Sequence, residues 1–461
     1  MLNLSIDEIV KITGARVALD KGLPANLVVT GYSFDTRRLE EGDLFFALEG
    51  ERRDGHTFVG EARTRGAVAA VVSHPVEGAG EDFVQIVVES PLAALQSIAS
   101  HERGRLDIPV VTISGSNGKT TTKDMLAMLL ASKMRVHKSP GNFNNHIGVP
   151  LSLLGLDDAD QVLVIEIGSN HRGEIRNLCE IARPTVGLVT NVGRAHIGYF
   201  GSVDEIAREK TDILRCLEPG GTGIVNADDP LLLSAIAGID VDLLTFGVKE
   251  AADFRATDIR QIDGRGAEFS VNGVAMRLRS PGLHNIYNAT AAIAAAGLFD
   301  ISPDDAGRIL TDFEPLRMKV MKAADLTIID DSYNANPDSV KAALDVFSSM
   351  GKTRKVFVMG EMLELGDSAD RLHREVGTWV TSSGVDVLIG IGGLTRATVD
   401  EARASGMSPE SALFFEDKTD AMQQMSHLIA PHDVVLVKGS RMAGLEEICD
   451  LLKQQAVEGR A

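Results

Sequence analysis

Short apolar runs alternate with amphipathic stretches along most of the chain, and the alternation changes character twice. Up to residue 105 the runs GDLFFAL, AVAAVV and FVQIVV read as strands mixed with helix-like pieces. From 106 to 313, VVTI, VLVIEIG, TVGLVT and TGIVN each precede a helical pattern or a turn, which predicts a parallel sheet covered on both faces. Polar alternation over 254–279 predicts an inserted hairpin region, and the alanine-rich stretch 285–299 predicts a helix that closes this unit. From 314 to 461 a third series runs LTIID, KVFVMG, VDVLIG, ALFFE and DVVLVKG, each but the last separated from the next by a helical pattern, and predicts a Rossmann-like unit. The expected fold is therefore α/β in three domains: 1–105, a central parallel-sheet domain of P-loop ATPase type at 106–313, and 314–461.

The junction between IPVVTI and the helix-like TTKDMLAMLLASK is SGSNGKTTTK, Ser114 to Lys123. A loop between a strand and a helix start is suited to phosphate. Gly115 and Gly118 allow the backbone close to an anion, and the first free N–H groups of the helix carry about half a positive charge. In this arrangement Ser116, Asn117, Thr120 and Thr121 lie along the phosphates, Lys119 reaches the outer ones, and the Thr120 hydroxyl faces Mg²⁺. The common phosphate-loop pattern has a further glycine where this chain has Ile113, so the loop is a shortened variant. A glycine turn capping a helix is the alternative. GIGG at 390–393 is a weaker dinucleotide signal, because the full glycine fingerprint is absent.

Composition narrows the field. A chain of 461 residues exceeds a single core. Lys and Arg total 46 against 65 Asp and Glu, a net charge of −19, which disfavours nucleic acid and anionic membrane and leaves phosphate to local loops, Lys, Arg and metal. The three cysteines are far apart and fit neither a disulfide framework nor a metal cluster. The first residues alternate apolar and charged types, without an apolar signal core or a spanning segment, so a cytoplasmic location and no membrane insertion are expected.

The shortened loop recurs with other motifs: GNFNNHIGVP at 141–150, IEIGSN at 165–170, AHIGYFGS at 195–202, GLHNIYN at 282–288 and DDSYNANPDS at 330–339. In order and spacing they resemble the Mur ligases of bacterial cell-wall synthesis over nearly the whole chain. The resemblance implies an ATP- and Mg²⁺-dependent ligase, acting as a monomer, that forms an amide through an acyl phosphate. Two further stretches, DTRRLEEGDLFFALEGERRDGH at 35–56 and GEMLELGDSADRLH at 360–373, are similar to the family's UDP-sugar and acceptor regions. They imply UDP-N-acetylmuramoyl-tripeptide and D-alanyl-D-alanine as substrates. A sister ligase with another acceptor, a folate-type glutamate ligase, or a P-loop ATPase or switch are the alternatives.

Residue roles follow from the same motifs. Glu166 and His196 stand at strand ends, where a polar residue reaches a ligand in an open parallel sheet, and the resemblance makes both Mg²⁺ ligands. Chemistry alone disfavours the histidine, because Mg²⁺ prefers oxygen. Lys210, by its own pattern a solvated helix lysine, aligns with a lysine that several family members carry as a carbamate. Asn288, Asp331, Asn334 and Arg317 match ATP contacts, against readings as a helix cap, a turn and a linker charge. Ser33, Asp35, Thr36 and Arg37 are the UDP-sugar candidates, with Thr36 where the family usually has serine. Asn142, Asn144 and Asn145 are candidates for the sugar diphosphate or peptide, or a simple Asn-Gly turn. Glu364, Leu365, His373, Lys438 and Arg441 are the acceptor candidates, or ordinary polar surface.

Overall fold

The computed structural model describes residues 3–18, 27–50, 53–80, 82–262, 266–351 and 353–457. Glu51 and Arg52 of the 35–56 stretch and residues 263–265 of the expected hairpin lie outside the described residues. Three large sheets, each built from one stretch of chain, have five, nine and six strands. The α/β class expected from strand–helix alternation is the class observed.

The central sheet places its phosphate-loop strand, Val110–Ser114, between Val186–Val189 and Val162–Glu166, all parallel. Strand residues point alternately to opposite faces, so the same strands feed two cores. Leu163, Ile165, Val189 and Val225 belong to one, while Val111, Ile113, Val164, Leu188 and Ile224 belong to the other. Helices Lys119–Leu130 and Leu283–Gly297 cover the second face. Helices Gly148–Leu154, Glu174–Ala182 and Val203–Arg215 cover the first. Covering both faces is what continuous apolar runs such as VLVIE require.

The chain departs from the strand Val110–Ser114 to the edge strand Val136–Lys138, returns to Val162–Glu166, and then crosses to Val186–Val189 on the other side. The direction of winding therefore reverses at the phosphate-loop strand. Ligands of open parallel sheets sit at such a reversal, beyond the carboxyl ends of the strands.

Two expectations are revised. The hairpin region expected over 254–279 is present as antiparallel neighbours Phe254–Ile262, Gly266–Val271 and Val274–Leu278, but it continues the central sheet. The first of these is joined in parallel to Asp242–Gly247. Its alternation reflects one face packed on the alanine-rich helix and one face in water. The third sheet gains an antiparallel edge, Lys319–Ala323, too charged to read as a strand from periodicity. Its last strand in the chain, Val434–Lys438, inserts between Leu326–Asp331 and Lys355–Gly360.

The first sheet is not an isolated body. Helix Pro91–Arg105 buries Leu95, Ile98 and Ala99 in a core shared with strands of the first sheet and with helices Gly148–Leu154 and Glu174–Ala182. Arg103 donates to the carbonyls of Ala182 and Arg183, fixing that junction. Among the described residues no helix is long and apolar enough to cross a membrane.

Candidate active site

The phosphate loop turns on two glycines. Gly115 has φ 132° and Gly118 has φ 86°, both in the region L side chains avoid. A Cβ on Gly118 would come within 2.2 Å of Asn288 Oδ1, so the loop can close on the alanine-rich helix only with glycine there. Helix Lys119–Leu130 begins at Gly118 with no side-chain cap, which leaves its first N–H groups free to meet an anion.

Asn191, at the end of the neighbouring strand, holds the loop from the side. Its Oδ1 accepts from Asn117 N at 3.0 Å and its Nδ2 donates to Asn117 O at 3.0 Å. The Thr190 hydroxyl adds a 2.6 Å bond to that same carbonyl. The loop shape is therefore set before any ligand arrives, which lowers the ordering cost of binding.

Lys119 donates from Nζ to Gly115 O at 2.7 Å, folding back along the loop. Burial lowers its pKa and the nearby Glu166 carboxylate opposes that shift. Thr120 donates its hydroxyl to Glu166 Oε2 at 2.9 Å. Glu166 is fully buried, and its Oε1 has no partner among the described residues. Burial raises its pKa, against the pull of Lys123 and Lys119. An orphaned carboxylate oxygen beside a threonine hydroxyl at the mouth of a phosphate loop is the oxygen donor set that Mg²⁺ takes, so these residues fit the ion.

His196 sits one strand away, at φ 60°, with Nδ1 bonded to Glu364 Oε2 of the third unit. That bond holds the Glu364 carboxyl below the usual range. A predicted metal ligand and a predicted acceptor residue are thus partners. Lys210 is buried and donates to Ser169 Oγ at 2.9 Å and to Ser169 O at 3.2 Å. Burial, and secondly the charge of Lys119, bring its pKa from 10.5 down to about 7.

Ser116 to Thr121, Ser169, Asn191, His196, Lys210 and Glu364 line one cleft of about 1450 Å³ at the reversal point of the central sheet, with Glu166 buried behind Thr120. The third sheet faces it from the other side. Asp331 ends one strand and Lys438 ends the next, and their charges meet at 2.6 Å. Lys438 also donates to Asn334 O at 2.9 Å, so its ammonium is already neutralised and bonded. Arg317 lies flat on the Tyr333 ring, 3.1 Å from its centre, with Arg441 at 5.3 Å from the same ring. Such stacking keeps a guanidinium rigid while its edge stays available for phosphate or carboxylate. Asn336 caps the helix Pro337–Ser349 and also donates to Asn117 Oδ1 at 2.9 Å.

Asn288, Asp331, Asn334, Arg317, Glu364 and Arg441 reach the cleft together with the loop. Asn288 is not a helix cap but sits inside Leu283–Gly297, buried and 3.4 Å from Thr122 Oγ1. Asn142, Asn144 and Asn145 also line the cleft, although Asn145 Oδ1 already accepts from Ile147 N and Gly148 N. Four candidates stand apart on the first sheet: Ser33, Asp35, Thr36 and Arg37. There Asp35 caps the turn Thr36–Arg38 and grips Arg37 with both oxygens at 2.7 and 2.8 Å.

Two acceptor candidates do not reach the cleft. Leu365 is packed in the core of the third unit. His373 has no exposed surface; its Nε2 accepts from Met362 N and its Nδ1 donates to Ala369 O, so it supports the loop that carries Glu364.

Several contributors were given no role by the motifs. Besides Asn191 and Asn336, Lys123 is buried and donates to Ser139 O at 2.9 Å and Gly141 O at 2.6 Å, anchoring the GNFNN segment. Its position three before Leu126 on the buried helix face is the sequence signal that marks it.

A shortened phosphate loop, a buried metal-competent carboxylate and a cleft roofed by a further α/β unit define an ATP-using α/β enzyme. Three family models match the chain: the Mur ligase family catalytic domain over 28–103, the Mur ligase middle domain over 113–296, and the Mur ligase glutamate ligase domain over 316–441. UDP-N-acetylmuramoyl-tripeptide--D-alanyl-D-alanine ligase of Bacillus subtilis is 36% identical, covering 91% of this chain and 92% of the relative. Among solved structures, MurF from Acinetobacter baumannii superposes with a TM-score of 0.88 at 30% identity, over 98% of this chain and 99% of that one. MurF ligase from Thermotoga maritima in complex with ADP gives 0.81 at 27% identity, over 95% and 100%. The chain belongs to the Mur ligase family.

Proposed function

We propose that the protein joins D-alanyl-D-alanine to UDP-N-acetylmuramoyl-tripeptide, with ATP converted to ADP and phosphate, to give UDP-N-acetylmuramoyl-pentapeptide. The observation that carries this reading is the phosphate loop, bonded to the buried Glu166 through Thr120 and opening on a cleft that the third sheet completes, in a chain similar over nine-tenths of its length to ligases of that name. We assign 1–105 to the UDP-sugar, 106–313 to ATP and 314–461 to the acceptor. One chain supplies every residue named, so a monomer suffices, and ATP and UDP-linked sugars place the reaction in the cytoplasm.

In this scheme the γ-phosphoryl group moves from ATP to the terminal carboxylate of the tripeptide, and the dipeptide amine then attacks the acyl phosphate carbon and expels phosphate. Many anionic oxygens converge in the first step, so positive charge must be aimed at them. Lys119 supplies it from the loop, together with the free N–H groups at the helix start. Thr120, Glu166 and His196 would hold Mg²⁺, which when bound offsets phosphate charge. Asn288, Asp331, Asn334 and Arg317 border the nucleotide. Ser33, Asp35, Thr36 and Arg37 hold the uridine end, and Asn142, Asn144 and Asn145 lie along the diphosphate and peptide. Arg441, exposed, bonded to Glu446 at 3.1 Å and lying 5.3 Å from the centre of the Tyr333 ring, is the cation placed to take the dipeptide carboxylate, since Lys438 is already paired. Water would hydrolyse the acyl phosphate, so the roof formed by the third unit serves to exclude it.

Phosphate release measured over a panel of UDP-muramoyl peptides and amines tests the assignment. The tripeptide with D-alanyl-D-alanine is expected to give turnover, and the dipeptide with a diamino acid none. The reverse result makes the chain a sister ligase, and nucleotide hydrolysis without either substrate makes it an ATPase.

A further inference from the structure

The segment 191–200 joins the phosphate loop to the third unit, and none of its contacts to that unit follows from a motif. At its start, Asn191 bonds the phosphate-loop residue Asn117, and Gly193 N donates to Ser116 Oγ at 2.8 Å. In its middle, Arg194 reaches across the cleft. Its Nε and Nη2 donate to Asp338 Oδ1 at 3.0 and 2.8 Å, and its backbone N to Asp338 Oδ2 at 2.7 Å. Its Nη1 donates to both oxygens of Glu375 at 2.9 and 3.1 Å, and its guanidinium lies 5.7 Å from the centre of the Trp379 ring. At its end, His196 is bonded to Glu364, and Gly198 N donates to Glu364 O at 3.0 Å. A Cβ on Gly198 would lie 2.4 Å from Gly366 N, so backbone meets backbone there.

We infer that Arg194 is a positioning residue for the ligase reaction: it latches the third unit onto segment 191–200, so that His196 is held in its working arrangement toward the phosphate loop only while that unit is docked. Charge-assisted, forked bonds from one guanidinium to two carboxylates are strong and directional, and lysine cannot reproduce them. All three side chains are only partly exposed, at 26%, 33% and 34%, so the contact is incompletely screened by solvent. Removing the guanidinium takes away the forked attraction between segment 191–200 and the two carboxylates of the third unit, which weakens the docking of that unit. The loop itself, built on Gly115, Gly118 and Asn191, is untouched by such a change. Nucleotide binding and phosphoryl transfer are therefore separable at this residue.

The activity readout rests on the ligase reading above, whereas the shape and binding readouts do not. On the full chain, Arg194→Ala is expected to bind ADP with a Kd near wild type by calorimetry. Its kcat should fall roughly tenfold to a hundredfold, as misplacement of a reacting group typically does. Small-angle scattering with ADP present should give a larger radius of gyration than wild type. Arg194→Lys should behave like Arg194→Ala, and adding Glu375→Ala to Arg194→Ala should cost little more, because the latch is already open. Should Arg194→Ala fail to fold, Glu375→Gln carries the same measurements. An unchanged kcat, or a lost kcat with an unchanged scattering profile, overturns the latch.

Discussion

Lys119→Ala is expected to remove nearly all turnover, lowering kcat by about 10² to 10³ or more, as loss of a preorganised charge aimed at the transition state does. Stability should hardly move. The ammonium makes one hydrogen bond, to Gly115 O, and a single part-buried bond is worth about 1 kcal/mol net. It also sits at the positive end of helix Lys119–Leu130, where a cation is unfavourable, so its removal returns part of that loss. Phosphate release and a thermal melt on the purified variant separate the two effects. A kcat close to wild type with full substrates would end the phosphate-loop assignment, and a collapsed melting temperature would make Lys119 a structural residue instead.

How much of this site was legible in the sequence depended on distance along the chain. The phosphate loop is a local object: strand, two glycines, lysine and helix fall within a few residues, and each has a conformational reason that sequence carries. Glu166 and His196 were legible as strand ends. Asn191, Arg194 and Asn336 were not, because each acts on a partner at least 74 residues away, and nothing local distinguishes a bridging asparagine from a turn asparagine. The same blindness explains Leu365 and His373. Both share a motif with Glu364, but only the fold decides that Glu364 faces the cleft while Leu365 and His373 turn inward. The polar strands of the central sheet's edge read as an insertion for a related reason, since periodicity reports a half-wet strand without saying which sheet it joins.

Lys210 is the case where a signal existed and resemblance was needed to notice it. It stands four residues after Ile206 and three before Ile213, on the buried stripe of helix Val203–Arg215, where an ordinary lysine is rare. Its pKa near 7 follows from that burial. At pH 7 about half of such side chains are neutral, against roughly one in three thousand at the ordinary 10.5. The unmodified group also works against folding. Its folded pKa lies below the unfolded one, so the unfolded chain binds more protons between about 7 and 10.5. The stability cost is full below that window and fades as pH rises through it.

A neutral, desolvated amine is the form that adds to carbon dioxide: the lone pair attacks the carbon, the nitrogen loses a proton, and the cation becomes a carbamate anion. We propose that Lys210 works in that form, countering positive charge beside Glu166 and Lys119 rather than adding to it. Lys210→Ala is then expected to lose about 10²-fold or more in kcat and to regain part of it with millimolar formate or acetate, small carboxylates that fit the vacated space. Wild-type activity should rise with added bicarbonate, and more so above pH 7, where the amine is neutral. If Lys210→Ala retains full activity with no carboxylate added, Lys210 has no such role. If activity is lost but neither carboxylate nor bicarbonate has any effect, its hydrogen bonds to Ser169 are what matters.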